Sequence, residues 1–225
     1  MSELSGDNLL NMLDLGQRAE IERIAAFQVF SANHIFFSPG EQAEQVFLLR
    51  QGRVRLYKLS HEGRALTLSF IEPVALFGEA PLEGPWFHDS FAEAIGEVTV
   101  GVIPRSALRN LLERSPALAI AFMTVLGRRL RLMENRLADI AFKSVPARLA
   151  TVLLTLAGVG SQPTPLPINP QPIRFTHQQL AEMIGSYRET VTKTMGDFRE
   201  LAVIRIDDDA ILLVDVPALQ RLALR

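Results

Sequence analysis

Seven apolar residues, Ala119, Met123, Leu126, Leu130, Met133, Leu137 and Ile140, recur at alternating spacings of four and three. On an α-helix that spacing draws one stripe, and a stripe kept for roughly three heptads is the seam along which helices pair as a coiled coil. It predicts a single long helix from Pro116 to about Phe142, paired with a second copy of the chain. Phe122, Val125 and Leu132 make a second apolar row. The residues therefore also allow a helix buried within one protomer, or one that gives a face to each purpose.

Before this helix the texture is that of strands. From Asn33 to Pro104 the runs HIFFSPGE, QVFLLRQGRVRLYKL, HEGRALTLSFI, VALFGEAPLEGP and SFAEAIGEVTVGVI are punctuated by Gly40, Gly52, Gly63, Gly78 and Gly96. Short β-branched and aromatic runs at this spacing indicate an antiparallel roll or barrel. Gly52 and Gly63 stand where hairpin turns need a positive φ. A lead-in helix is expected from about Leu9 to Phe27, and PRSALRNLLERS reads as a Pro-initiated helix that follows the strands.

After Pro146 a helix runs to about Leu156, and GVGSQPTPLPINPQP makes a loop before a short strand, IRF. Thr176 and Gln179 form a capping box that opens HQQLAEMI, and Gly185 ends that helix. Ser186 and Glu189 make a second box that opens YRETVTKTMGDFREL. Two short helices joined by a tight glycine turn are a helix-turn-helix. VIRIDDDAILLVD follows as a two-stranded wing around an acidic turn. The expected fold is α+β: a jelly-roll-like β-roll over residues 1–115, a coiled-coil dimerisation helix and hinge over 116–145, and a winged helix-turn-helix over 146–225.

Several function classes fall away. The 225 residues include no cysteine, which removes disulfides, thiolate metal sites and cysteine nucleophiles. No P-loop, G-x-S-x-G or H-E-x-x-H pattern is present, so no catalytic residue is assigned and no enzyme is expected. His34, His61, His88 and His177 are scattered; His88 and Asp89 could touch a metal with Glu79 or Glu93, but a solvated turn accounts for them and no metal site is assigned. The longest apolar stretch, Ala117–Leu126, is about half of the roughly 20 residues a membrane span needs, and no signal-peptide pattern opens the chain. The default expectation is a cytoplasmic protein without a membrane partner. With 23 Lys+Arg against 25 Asp+Glu, nucleic acid would have to be held by a local patch.

The order of roll, long helix and winged helix-turn-helix resembles the CRP/FNR family of bacterial transcription regulators. The residues that carry the resemblance are FFSPGEQAEQVFLLRQGRVRLY, the FGE turn at Phe77–Glu79, RRL at Arg128–Leu130, and IGSYRETVTKTMGDFRE at Ile184–Glu200. The roll and TMGDFRE are most similar to the cyanobacterial NtcA-like branch, whereas Glu189 stands where that branch usually has an apolar residue and matches the CRP branch instead. The resemblance implies a cyclic-nucleotide-binding-type roll and a homodimeric activator that binds double-stranded DNA, with RNA polymerase as a further partner. It also implies half-sites close to TGTGA in a palindrome, with a GTA-type site as the alternative.

The implied DNA readers are Arg188, Glu189 and Lys193 on the second helix of the motif. Their chemistry suits the role without the resemblance: arginine can donate twice to guanine O6 and N7, glutamate can accept from cytosine N4, and lysine can reach a second guanine. Glu189 also has the plainer reading of completing the box with Ser186. Thr176, His177, Gln178, Thr190 and Thr192 are the candidates for phosphate contacts.

In the family the roll often binds a small anionic effector beside the FGE turn. The implied effector residues here are Phe77, Gly78, Glu79, Ser90, Arg129 and Glu134. Where the CRP branch meets a cyclic phosphate with an Arg-Ser pair, this chain has Asp89-Ser90, and its Thr-Ser pair for adenine is matched by Met133-Glu134. No Lys or Arg lies between Arg64 and Arg105, while Glu72, Glu79, Glu83, Asp89, Glu93 and Glu97 do. A buried phosphate needs a paired cation, which argues against cyclic AMP in its usual pose. NtcA-like proteins bind 2-oxoglutarate; Arg129 and Glu134 match their helix pair, but Ser90 replaces the roll arginine. Arg129 and Glu134 are also g and e positions of the seam, so a salt bridge across the dimer explains both without a ligand. A 2-oxoglutarate effector, another effector, control by a protein partner, and no effector all stay open. A sensor working by protein contact alone would keep roll and helix without needing Arg188, Glu189 and Lys193.

Overall fold

The computed structural model describes residues 13–78, 81–159 and 170–224. They divide into two compact units, one within Ser5–Gly63 and Thr67–Arg131 and the other within Arg64–Leu66 and Leu132–Arg225.

The first unit is a β-roll with a helical layer. Helix α1 (Leu15–Arg23) opens with a capping box in which Asp14 accepts from the Gln17 N–H and Gln17 accepts from the Asp14 N–H. Strands β1 (Ala26–Phe30), β2 (Ile35–Phe37), β3 (Gln45–Leu59), β4 (Ala65–Ile71), β5 (Ala75–Phe77) and β6 (Phe91–Pro104) follow in chain order. They form one sheet ordered β1-β6-β3-β4, with β2 on β6 and β5 on β3. The spine is the antiparallel pair of β3 and β6, in register from Gln45 opposite Pro104 to Tyr57 opposite Phe91.

Two expectations are corrected here. The lead-in helix stops at Arg23, because Ala26–Phe30 pairs with β6 from Ala26 opposite Val102 to Phe30 opposite Val98. Its first expected residues, 9–12, lie outside the described residues. Gly52 has the expected positive φ of 88° but sits inside β3, where the register shifts between Leu49 and Arg53. A β-carbon there would lie 2.6 Å from the Glu97 carbonyl oxygen, so the long strand bends through a bulge that only glycine fits.

Strand alternation gives β3 two buried faces. Phe47, Leu49 and Val54 enter the interior of the roll with Phe37, Phe77, Ala92 and Val100. Val46 and Leu48 point the other way, into a layer with Ile21, Leu108, Leu112, Leu118 and Val125. That layer is supplied by α1, by α2 (Arg105–Arg114) and by the first half of α3 (Pro116–Phe142). Of the seam residues of α3, Ala119 packs against this layer, whereas those from Met123 onward face elsewhere: Met123, Leu130, Met133 and Leu137 are 62%, 59%, 53% and 68% exposed in the single protomer.

In the second unit Ser144 caps α4 (Val145–Leu156), with Pro146 in its first turn. Helices α5 (His177–Ile184) and α6 (Arg188–Glu200), the wing strands β7 (Ile204–Asp207) and β8 (Ala210–Leu213), and a last helix α7 (Val216–Ala223) complete it. The anticipated strand IRF reduces to a single bridge, Ile173 opposite Ile211, and residues 160–169 of the Pro-rich stretch lie outside the described residues. Helix α7 was not anticipated; Asp215 caps it through the Ala218 N–H at 2.9 Å. It packs on α4, and Leu153, Leu180, Val191, Phe198 and Leu219 are buried within this unit. No described helix is long and apolar enough to cross a membrane.

Candidate nucleic-acid interface

Helix α6 has one buried face and one open one. Val191, Thr194, Met195 and Phe198 are buried, at the spacing of a single helical stripe. Arg188, Glu189, Thr192 and Lys193 are exposed and line one open depression on the other side. At about 100° per residue these four span roughly 140° of the helix.

The entry to α6 departs from the sequence expectation. The predicted capping box of Ser186 and Glu189 does not form, because the helix begins one residue later. The residue before it is Tyr187, with no side-chain cap, and the Ser186 N–H donates to the Ala181 carbonyl at 2.9 Å. Gly185, left-handed at φ 62°, makes the turn that sends the chain from α5 into α6. Glu189 is thereby released from the capping role and stays on the open face beside Arg188.

The phosphate candidates divide. The box at the start of α5 does form: Thr176 Oγ1 accepts from the Gln179 N–H at 3.2 Å, and Gln179 Oε1 accepts from the Thr176 N–H at 2.9 Å. Gln178 donates to Glu182 at 2.9 Å on the same helix. His177 Nδ1 lies 2.9 Å from Thr192 Oγ1, and the Thr192 hydroxyl donates to the Arg188 carbonyl at 2.9 Å. With the hydroxyl proton on that carbonyl, the Nδ1–H tautomer of the imidazole fills the donor role toward Thr192. This pair ties the first turn of α5 to the reading face of α6. Thr190 is half-buried, and its carbonyl accepts from Thr194.

The effector candidates are placed less openly. The Phe77 ring is fully buried and stacks on Phe47 with centroids 5.0 Å apart, so only its backbone could meet a ligand. Gly78 is buried, Ser90 is half-buried, and Glu79 lies outside the described residues. Arg129 Nη2 donates to the Leu76 carbonyl at 2.6 Å. Asp89, where the CRP branch has an arginine, is paired with Lys58 at 2.7 Å. Glu134 is exposed on α3. His88 stacks on Phe37 with centroids 3.7 Å apart, and burial lowers its pKa against the opposing charges of Glu41 and Asp89. Among the described residues no group of His, Cys, Asp or Glu is arranged to hold a metal ion.

The roll and the helix-turn-helix can each be matched to known families. The cyclic nucleotide-binding domain matches residues 27–115, and the Crp-like helix-turn-helix domain matches residues 147–222. A CRP-like cAMP-activated global transcriptional regulator of Mycobacterium tuberculosis is 32% identical, over 96% of this chain and 99% of its own length. The chain belongs to the CRP/FNR family of transcription regulators. A global nitrogen regulator of Synechococcus elongatus is 30% identical over 85% of this chain and 87% of its own length. Among solved structures, a CRP/FNR-family transcriptional regulator of Thermus thermophilus is 29% identical, with a TM-score of 0.72 over 89% of this chain and 99% of that one. The family is one of DNA-binding regulators and not of enzymes.

Proposed function

We propose that this CRP/FNR-family chain works as a homodimeric regulator that reads a palindromic, TGTGA-like site with α6 in the major groove. Arg188 donates to guanine, Glu189 accepts from cytosine N4, and Lys193 reaches a second guanine. Gln178, with one amide hydrogen on Glu182 and a second still to give, is the readiest phosphate contact, and Thr176, His177, Thr190 and Thr192 would meet phosphates by exchanging their present contacts. The observation that carries this reading is the uncapped start of α6, which leaves Glu189 exposed on one face with Arg188, Thr192 and Lys193. The exposed seam of α3 supports pairing with a second copy, which would set the two α6 helices against half-sites about one helical turn, roughly 34 Å, apart. In this reading 1–115 is the sensor, 116–145 the dimerisation helix and hinge, and 146–225 the DNA-binding domain, with RNA polymerase the partner of the DNA-bound dimer.

For the roll, the contacts favour control without cyclic AMP in its usual pose. The relatives are named for different signals, cAMP activation in one and nitrogen regulation in another. Here Asp89 is paired with Lys58 where a phosphate would need a cation, and Arg129 is held by the Leu76 carbonyl. Both contacts favour a roll that is ligand-independent or governed by a protein partner. A 2-oxoglutarate-responsive roll is the second reading, favoured by Arg129 and Glu134; it would require Arg129 to exchange Leu76 for a ligand carboxylate.

Fluorescence anisotropy with a labelled duplex carrying TGTGA and its inverted repeat tests the DNA reading. Wild-type protein is expected to bind it at least tenfold more tightly than a scrambled duplex at physiological salt, on the scale of about 1–3 kcal/mol for each bidentate base contact. Arg188→Ala is expected to remove most of that preference. Equal binding to both duplexes by the wild type would overturn sequence reading.

A further inference from the structure

The last two turns of α3 lie in the same compact unit as the helix-turn-helix. Three cations fasten them to it. Arg136 Nη2 donates to the Met183 carbonyl at 2.6 Å. Lys143 pairs with Asp139 at 2.8 Å and donates to Thr151 on α4 at 3.1 Å. Arg148, on α4, donates back to the Ile140 carbonyl at 3.1 Å.

These contacts differ in what they hold. Lys143 and Arg148 join α3 to α4 across the short junction at Ser144, staying near the hinge itself. Arg136 skips the hinge and reaches α5, 47 positions along the chain. Its acceptor belongs to the last turn of α5, where helix carbonyls lack an intrahelical partner and draw a cation. Two residues on, Gly185 turns the chain into α6, so the carbonyl that Arg136 holds lies next to the pivot of the reading helix. Burial lowers the Arg136 pKa, while Asp139, one turn along α3, opposes that shift. A cation taken this far out of water is costly unless its contacts fix something. In the seam's heptad Arg136 is a g position, which elsewhere would serve a salt bridge to the partner helix.

We propose that Arg136 is a positioning residue for DNA reading: by holding the end of α5 it sets one angle between the dimerisation helix and α6. The inference rests on the assignment of α6 as the reading helix. Two α6 helices held at a fixed angle behave as a rigid bivalent reader, which favours one half-site spacing; loosened helices bind each half-site alone and accept several spacings.

Two measurements on the full chain test this. Because the chain contains no cysteine, Asn135→Cys on the outer face of α3 and Glu200→Cys at the end of α6 can carry nitroxide labels. Labelled chains are diluted with unlabelled ones, and the distance distribution is read by pulsed electron resonance. The expected result is a narrow distribution in the otherwise native protein, a clear broadening in Arg136→Met, and recovery in Arg136→Lys, whose ammonium can still donate to Met183. In parallel, duplexes with the spacer lengthened or shortened by one base pair are compared with the natural spacing. Arg136→Met is expected to lose roughly tenfold spacing discrimination while keeping its Arg188-dependent affinity for a single half-site. An unchanged distance distribution in Arg136→Met overturns the proposal, as does unchanged spacing discrimination in a protein that otherwise reads the site. If wild-type protein fails to prefer the TGTGA duplex, the DNA-reading assignment fails instead, and the distance measurement still decides whether Arg136 fixes α6.

Discussion

Arg129 and Leu76, 53 positions apart, are joined by a 2.6 Å hydrogen bond from a half-buried guanidinium to a β5 carbonyl. The acceptor is the residue before Phe77, so the arginine that the resemblance offers to an anionic effector braces the strand that leads into the Phe-Gly turn. A charged hydrogen bond of this kind contributes about 1.5–3 kcal/mol. Arg129→Ala is therefore expected to lower Tm by several degrees, at roughly 2–4 °C per kcal/mol for a chain of this length. A ligand at a hundred times its Kd would add about 2.7 kcal/mol. Cyclic AMP, cyclic GMP and 2-oxoglutarate are each expected to leave Tm in place, and a rise of several degrees with 2-oxoglutarate that Arg129→Ala abolishes would restore the effector reading.

Glu189 should act on specificity more than on affinity. It carries negative charge toward DNA and repels phosphates, so Glu189→Ala is expected to hold or raise binding to a scrambled duplex. Binding to the matched duplex should fall relative to it, with the loss concentrated at the cytosine it meets, by about 1–3 kcal/mol. Competition anisotropy with singly substituted duplexes reads this directly; a uniform change at every base would return Glu189 to a structural role.

The seam can be broken without touching the fold of one protomer. Leu130 is 59% exposed, so Leu130→Glu places a charge in the seam proposed to pair while leaving the roll interior and the helix-turn-helix intact. Light scattering is expected to report a monomer with an unchanged circular dichroism spectrum. Affinity for the palindrome should drop by roughly 10²–10⁴, the range lost when two linked sites become independent.

His88 gives the roll an acid sensitivity of predictable sign. Burial against Phe37 lowers its pKa, only partly offset by Glu41 and Asp89, so the unfolded chain takes up a proton at a pH where the folded chain does not. Its contribution to stability is full above the unfolded pKa and is lost as pH falls below it. Urea midpoints are expected to decline on acidification through this range, and His88→Phe, which keeps the stacking but cannot titrate, should flatten that part of the profile. An identical pH profile in the variant would contradict the assignment.

Local patterns carried much of the architecture. The apolar stripe and its prolines fixed both ends of α3, and the Thr176 box with Gly185 fixed α5, because each signal is complete within a few neighbouring residues. What escaped is non-local. Phe27 reads as part of a helix until its strand is seen to pair with β6, more than 70 positions away. The Ser186 box fails because the Ser186 N–H is taken by Ala181 in the turn. Helix α7 did have a local signal, Asp215 followed by Pro217, which the run of wing residues before it obscured. Of the candidate site, the exposed arc on α6 follows from helical spacing alone. The holds of Leu76 on Arg129 and of Met183 on Arg136 are side chain to backbone contacts between distant elements, and no residue pattern announces them.

Strand β3 is a shared wall between two rooms. Phe47 and Leu49 furnish one side, and Val46 and Leu48 the other, where they meet Leu118 and Val125 in the first half of α3. Close-packed side chains on consecutive residues leave no slack between the two sides. A change in the packing of the aromatic interior therefore bears on a strand whose opposite face carries the first half of α3.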